Sequence, residues 1–131
     1  MVDESQTRRK RTAYRNALYP TTIWKRGVYL LFTGHDQGCW STVGRAAEQR
    51  QQIVSIGPGC EPFGISSHEV AHALGLYHEQ SRYDRDNWIN IYPNRVPRGL
   101  LYNFAKVSRR SMDTYRTQYD IGSVMHYTPF E

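Results

Sequence analysis

The 131-residue sequence has no long apolar run, no internal repeat and very little cysteine. No stretch approaches the roughly 20 apolar residues of a membrane-spanning helix, and residues 1–10 lack the apolar centre of a signal peptide. The two cysteines, Cys39 and Cys60, lie outside any Cys-x-x-Cys pattern, which excludes a zinc ribbon and a thioredoxin-type redox site. The length is that of one domain, and nothing in the composition marks a boundary within it.

A strong excess of charge is also missing. The net charge is +5, but residues 8–11 supply four of the positive charges, and the chain from residue 12 onward has 13 basic against 10 acidic residues. This balance argues only weakly for a nucleic-acid partner. The run at 8–11 has two interpretations: a solvated or nuclear-targeting tail, or a processing site cleaved in the secretory pathway, after which Thr12 is the first mature residue.

Apolar patterning predicts a few short elements. Residues 27–33 have the aromatic and β-branched content of a buried strand, and Gln52–Ile56 predicts a second strand with apolar residues on both faces. Residues 39–45 fit a short strand or a loop, residues 65–75 a helix, and residues 100–107 a short helix.

Within the predicted helix stands the most informative stretch of the chain. His68 and His72 are spaced by one helical turn, so both imidazoles project from one face and can reach one metal ion. Gly75 permits a sharp turn, after which His78 can return as a third nitrogen ligand. Three protein ligands leave one position open for water, as in a catalytic zinc site, and Glu69 can take the proton of that water. The pattern is that of zinc peptidases, H-E-x-x-H-x-x-G-x-x-H.

Two simpler interpretations compete with this one. Histidines one turn apart also occur on solvated helix faces, although the added glycine and third histidine make coincidence improbable. Ser66 and Glu69 also fit a capping box, S-x-x-E, at the start of a helix. Because Glu69 is flanked by histidines at ligand spacing, the catalytic interpretation is preferred.

The cysteines leave two alternatives. In an exported protein, Cys39 and Cys60 would close a loop as a disulfide that contributes roughly 3 kcal/mol. In a cytosolic protein they would be reduced, buried thiols. The disulfide is favoured on condition of export.

A second informative segment is residues 119–127. Taken by itself, it predicts a polar turn followed by a short apolar segment, with Met125 as a core residue. Downstream of the extended zinc motif, a methionine turn is a hallmark of the metzincin clan. Further matches to a known family lie at Glu79, residues 80–86 and residues 123–127. With them, the sequence resembles the astacin family of zinc endopeptidases. The resemblance extends to residues 38–45 and 59–60.

The resemblance implies one zinc ion bound by three imidazoles, with a glutamate as general base. It further implies that Tyr127 is a swinging zinc ligand that stabilises the oxyanion, that Met125 forms an apolar floor, and that Glu79 pairs with a buried mature amino terminus. A water-bonded interface tyrosine is the competing interpretation of Tyr127. The resemblance also pairs the two cysteines and places residues 42–45 beside the edge strand that receives an extended peptide substrate. The residues given these roles are His68, His72, His78, Glu69, Tyr127, Met125, Glu79, Cys39 and Cys60.

The chain departs from the family pattern at three places. Several dozen residues are missing between Val28 and Phe32, including a long helix, a strand and a cysteine. The closing helix after the methionine turn and the propeptide aspartate are missing as well.

We therefore predict an α+β, metzincin-like domain at 12–131, preceded by a propeptide remnant at 1–11. A small mixed sheet should pack on the active-site helix, followed by an irregular carboxyl-terminal lobe, and the domain should be incomplete relative to the family. The predicted function is that of a secreted zinc endopeptidase made as a zymogen, with a protein substrate, no nucleic-acid partner and no membrane span. The alternative is an incompetent homologue that binds zinc or a partner without turnover.

Overall fold

The computed structural model describes residues 13–14, 24, 28–33, 38–46 and 51–128, with the backbone alone at 13–14. One α-helix and five short strands are present in this part of the chain. They are β1 (Ala13–Tyr14), β2 (Leu30–Thr33), β3 (Cys39–Ser41), β4 (Gln52–Ile56), α1 (Phe63–Ala73) and β5 (Met112–Asp113). No helix of the described residues is long and apolar enough to cross a bilayer.

Strands β2, β3 and β4 form a three-stranded mixed sheet. Its order is β2-β4-β3, with β2 parallel and β3 antiparallel to β4, and Val54 pairs with Phe32 on one side and Ser41 on the other. β4 has the predicted bounds, and Val54 is fully buried because α1 packs against β3 and β4. The predicted small mixed sheet on a helix is thus confirmed.

The prediction of a buried strand at 27–33 is wrong in its burial. Residues 30–33 do form β2, but Leu31 is 46% and Phe32 56% exposed. β2 lies at the edge of the sheet, away from the strands that α1 covers, so its apolar side chains have no packed layer over them among the described residues. Residue 27 itself lies outside the described residues.

Helix α1 begins and ends two residues earlier than predicted. Pro62 precedes its first residue, and a proline there is compatible with a helix start. Ser66 lies inside the helix, with its hydroxyl bonded to the carbonyls of Pro62 and Phe63, so the capping-box interpretation of Ser66 and Glu69 is wrong. At the other end, Trp24 Nε1 donates to the Ala73 carbonyl at 3.0 Å, which satisfies one terminal acceptor.

The predicted disulfide between Cys39 and Cys60 is formed. It joins β3 to the turn that leads into α1, and Cys60 is 1% exposed. The bond therefore ties the edge strand to the base of the histidine-bearing helix.

An irregular lobe follows His78, as predicted. It contains short 3-10 helices and the two-stranded antiparallel pair β1-β5. The short helix predicted at 100–107 is found as the last and longest of these 3-10 helices, which begins two residues and ends three residues earlier than predicted. Their bounds are Glu79–Ser81, Arg85–Asn87, Pro93–Arg95 and Arg98–Phe104.

Candidate metal centre

Helix α1 and the turn after it position three imidazoles. His68 and His72 lie one turn apart, with ring centroids separated by 4.6 Å. Gly75 has φ +98°, a conformation that side chains bearing a Cβ rarely adopt, and this turn reverses the chain after Leu74. His78 thereby returns to face the helix.

The three Nε2 atoms converge on one point. Nε2 of His78 lies 3.0 Å from Nε2 of His68 and 3.1 Å from Nε2 of His72. Nitrogens bound tetrahedrally to zinc at about 2.0–2.1 Å would be separated by about 3.4 Å, so the observed spacing is close to that of a zinc ligand set. Within the described residues this is the one group of three or more histidine, cysteine or carboxylate side chains so placed.

Backbone carbonyls orient two of the rings. Nδ1 of His68 lies 2.8 Å from the Val124 carbonyl oxygen, and Nδ1 of His72 lies 2.8 Å from that of Leu76. A carbonyl can only accept, so each Nδ1 carries the proton and each Nε2 presents a lone pair to the centre. This arrangement is the usual support of a metal-bound imidazole.

Burial favours the neutral form of two of these imidazoles, His72 and His78. It lowers the pKa of His72, and it lowers the pKa of His78 to about 3, with the neighbouring rings adding to the effect. Neutral imidazoles with facing lone pairs are suited to a divalent cation, and nitrogen donors with one open position fit zinc. The donor set therefore fits the predicted single zinc ion.

Glu69 lies between the two helical histidines and is 6% exposed. Burial raises the pKa of its carboxyl group, while the charge of nearby His68 acts in the opposite direction. A carboxylate with a raised pKa is a better proton acceptor than an ordinary one. The role of Glu69 as general base stays a prediction.

The methionine turn is hydrogen-bonded to the residue that follows the third histidine. Met125 is 2% exposed, and its carbonyl accepts a hydrogen bond of 2.8 Å from the Glu79 amide, next in the chain to His78. The Tyr127 ring lies 4.8 Å from the His78 ring and contacts the Phe104 ring edge-on at 5.8 Å. The turn therefore brings Tyr127 beside the metal centre, although its role as a ligand stays a prediction.

Glu79 was predicted to pair with the mature amino terminus, which lies outside the described residues. Its carboxylate is buried, and Oε1 accepts hydrogen bonds from Arg82 Nη1 at 2.9 Å and from the Asp120 amide at 3.0 Å. β1, which begins directly after Thr12, pairs with β5 on the same lobe. The placement is compatible with the prediction but does not test it.

Arg82 is a structural residue that the sequence did not single out. It is 1% exposed, and all five guanidinium N–H groups have acceptors. A run dense in charge normally indicates a solvated surface, so this burial has no clear signal in the sequence. The acceptors are the carboxylates of Glu79 and Asp84 and the carbonyls of Thr117 and Gln118.

The chain is similar in sequence to known zinc peptidases. The model of the astacin peptidase family matches residues 20–131. The chain is 50% identical to zinc metalloproteinase nas-29 of Caenorhabditis elegans, over 98% of this chain and 31% of that protein. It is 51% identical to protein SpAN of Strongylocentrotus purpuratus, over 69% of this chain and 14% of that protein.

A solved structure is similar as well. High choriolytic enzyme 1, a hatching enzyme zinc-protease from Oryzias latipes, matches with a TM-score of 0.66 and 36% identity, over 80% of this chain and 51% of that one. The chain thus spans less than a third of the curated relatives and about half of the solved one. The alignment with nas-29 is 167 residues long, so that relative contains residues with no counterpart among the 131 of this chain.

Proposed function

The chain belongs to the astacin family of peptidases, and on that premise we propose that it is a zinc-dependent endopeptidase that hydrolyses peptide bonds in proteins. The observation that carries the proposal is the convergence of three imidazoles, with Nε2 of His78 3.0 Å from that of His68 and 3.1 Å from that of His72. Rings held for a structural purpose alone would have their nitrogens paired with separate donors and acceptors.

In the proposed reaction, His68, His72 and His78 hold the zinc ion through Nε2. A zinc ion held in this way supplies Lewis acidity, which lowers the pKa of a water toward about 7. Glu69 accepts the proton of the attacking water and delivers it to the leaving amine. Tyr127 donates its hydroxyl hydrogen to the oxyanion that develops on the scissile carbonyl.

The proposed substrate is an extended segment of a protein. β3 is an edge strand of the sheet, and an extended peptide can add to such an edge through main-chain hydrogen bonds. The loop that follows β3 is fixed to the zinc helix, because the Gly44 amide donates to the His72 carbonyl at 2.8 Å. This contact supports a cleft bordered by residues 42–45.

We also propose secretion and processing. The disulfide supports an oxidising compartment, and the family resemblance supports a zymogen cleaved after residue 11. Residues 1–11 are then a propeptide remnant and residues 12–131 the peptidase domain. The pairing of β1 with β5 brings residues 13–14 to the lobe that contains Glu79.

A second candidate is a homologue that binds zinc without turnover. Two observations favour this candidate. The apolar side chains of β2 are exposed, and the relative nas-29 has residues within the aligned region that this chain lacks and that could support the site. A site with less support can be displaced, and displacement by about 1 Å can cost on the order of a hundredfold in rate.

Glu69→Gln tests the proposed function. This isosteric change removes the base without altering the imidazoles, so we expect one zinc per chain to be retained and cleavage of a denatured protein to fall by at least about a hundredfold. Zinc is measured by atomic absorption, and chelator-sensitive cleavage by the unaltered chain is the reference. Full cleavage by the Gln variant would refute the role of Glu69, whereas bound zinc without cleavage by the unaltered chain would favour the second candidate.

A further inference from the structure

Gln80 has a buried side chain whose oxygen has a hydrogen-bond partner and whose nitrogen has none among the described residues. It is 1% exposed, and its Oε1 accepts a hydrogen bond of 3.2 Å from the backbone amide of Tyr127. Among the described residues, its Nε2 has no hydrogen-bond partner. A buried donor without a partner destabilises a fold. In the part of the chain that the structure describes, the side-chain hydrogen bonding of Gln80 is therefore made through its oxygen, which accepts from Tyr127.

The carbonyl group of Tyr127 is held as well. It accepts a hydrogen bond of 2.6 Å from Nδ1 of His126, which must therefore carry a proton. Nε2 of the same ring accepts from the hydroxyl of Tyr119 at 2.8 Å, and Tyr119 is 8% exposed. The backbone of Tyr127 is thus bound through both its amide and its carbonyl.

The position of Gln80 in the chain gives this contact its significance. Gln80 follows His78 by two residues, and the rings of His78 and Tyr127 lie 4.8 Å apart. We propose that Gln80 is a positioning residue that fixes the backbone of Tyr127 relative to the third histidine, so that the Tyr127 hydroxyl is held at the metal centre. The kinetic consequence, but not the hydrogen bond, rests on the proposed function.

The first test measures backbone amide exchange in the zinc-loaded full chain. Gln80→Met keeps the unbranched shape but removes the acceptor, so we expect the Tyr127 amide to exchange at least about tenfold faster. Gln80→Glu retains an acceptor oxygen and should restore slow exchange. Gln52→Met is the matched control, because Gln52 is also buried, at 2% exposed, but its amide bonds Thr42 and Ala46.

An internal reference separates local from global effects. The Glu79 amide donates to the Met125 carbonyl at 2.8 Å in the same region and should keep its exchange rate in Gln80→Met. Equal acceleration of the Glu79 and Tyr127 amides, or no acceleration of Tyr127, would overturn the proposal.

The second test uses kinetics. We expect Gln80→Met to lower kcat by on the order of tenfold with KM unchanged, and to cause no further loss when Tyr127 is already replaced in Tyr127→Phe. An equal loss in both backgrounds would show that Gln80 acts independently of the Tyr127 hydroxyl and would overturn the inference. If the unaltered chain shows no cleavage, the proposed function fails, and the exchange experiment alone decides whether Gln80 holds Tyr127.

Discussion

Single backbone groups determine much of the chemistry of the metal centre. The carbonyl oxygens of Val124 and Leu76 fix which nitrogen of His68 and His72 is protonated, although neither side chain is involved. The Val124 carbonyl belongs to the methionine turn, 56 residues away from His68 in the chain. The histidine-bearing helix and the methionine turn are therefore joined by an orienting hydrogen bond.

The conformation of Gly75 can be tested by substitution. Because its φ is +98°, we expect Gly75→Ala to lower the free energy of unfolding by about 1–3 kcal/mol and to weaken zinc binding, since the turn returns His78 to the helix. Gly64 is the matched control: it lies in α1 with open space where a Cβ would be, so Gly64→Ala should stabilise by about 0.5–1 kcal/mol. Urea unfolding measures both, and effects of the same sign would contradict the argument.

Asp84 provides a pH-dependent test. Its two oxygens accept from Nε and Nη2 of Arg82 at 2.9 and 2.8 Å, and this hydrogen bonding lowers the pKa of Asp84 below the ordinary 3.8. The stabilisation is thus present above about pH 4 and is lost as pH falls through the lowered value in the folded state.

Asp84→Asn should therefore cost about 1–3 kcal/mol at neutral pH, and its difference from the unaltered chain should shrink as the pH falls below about 4. Chemical unfolding across that range measures the difference. Asp86→Asn is the control: the Asp86 side chain is 57% exposed, so little change is expected. A pH-independent difference for Asp84→Asn would contradict the linkage.

The disulfide joins two elements, β3 and the turn before α1. Replacing both cysteines, as in Cys39→Ser with Cys60→Ser, should lower the free energy of unfolding by about 3 kcal/mol, because a loop of this length is no longer closed in the unfolded chain. Reducing agent should bring the unaltered chain to the same value and leave the double variant unaffected. A difference below about 1 kcal/mol between oxidised and reduced chains would contradict this loop-closure argument.

The elements differ in how far the sequence predicts them. β4 has its predicted bounds because its apolar residues are bounded by Gly57 and Pro58, which stop a strand. The helix is displaced by two residues because Pro62 begins it earlier than its apolar pattern suggests. The spacing of the metal-site histidines is local in the chain, so the sequence predicts it. The burial of Arg82 depends on the carbonyls of residues 117 and 118, which are near Arg82 only in the folded chain.

The burial of β2 also depends on the whole molecule. Its composition predicts a covered strand, but a strand is covered only if another layer of the same protein packs on it. The alignment with nas-29 shows that a relative has residues that this chain lacks, and Leu31 and Phe32 are exposed here. Local pattern predicts the strand, whereas the presence of a covering layer is a property of the full chain.

Phe32 allows this difference to be measured. Its side chain is 56% exposed, so Phe32→Thr, which places a β-branched residue in the strand, should cost less than about 1 kcal/mol. Val54, which pairs with Phe32 in the sheet and is fully buried, is the reference, and Val54→Ala should cost about 2 kcal/mol. Urea unfolding of the full chain gives both values. A loss of about 3–5 kcal/mol for Phe32→Thr would mean that a packed layer covers β2 in solution, because losses of that size follow removal of a buried phenylalanine.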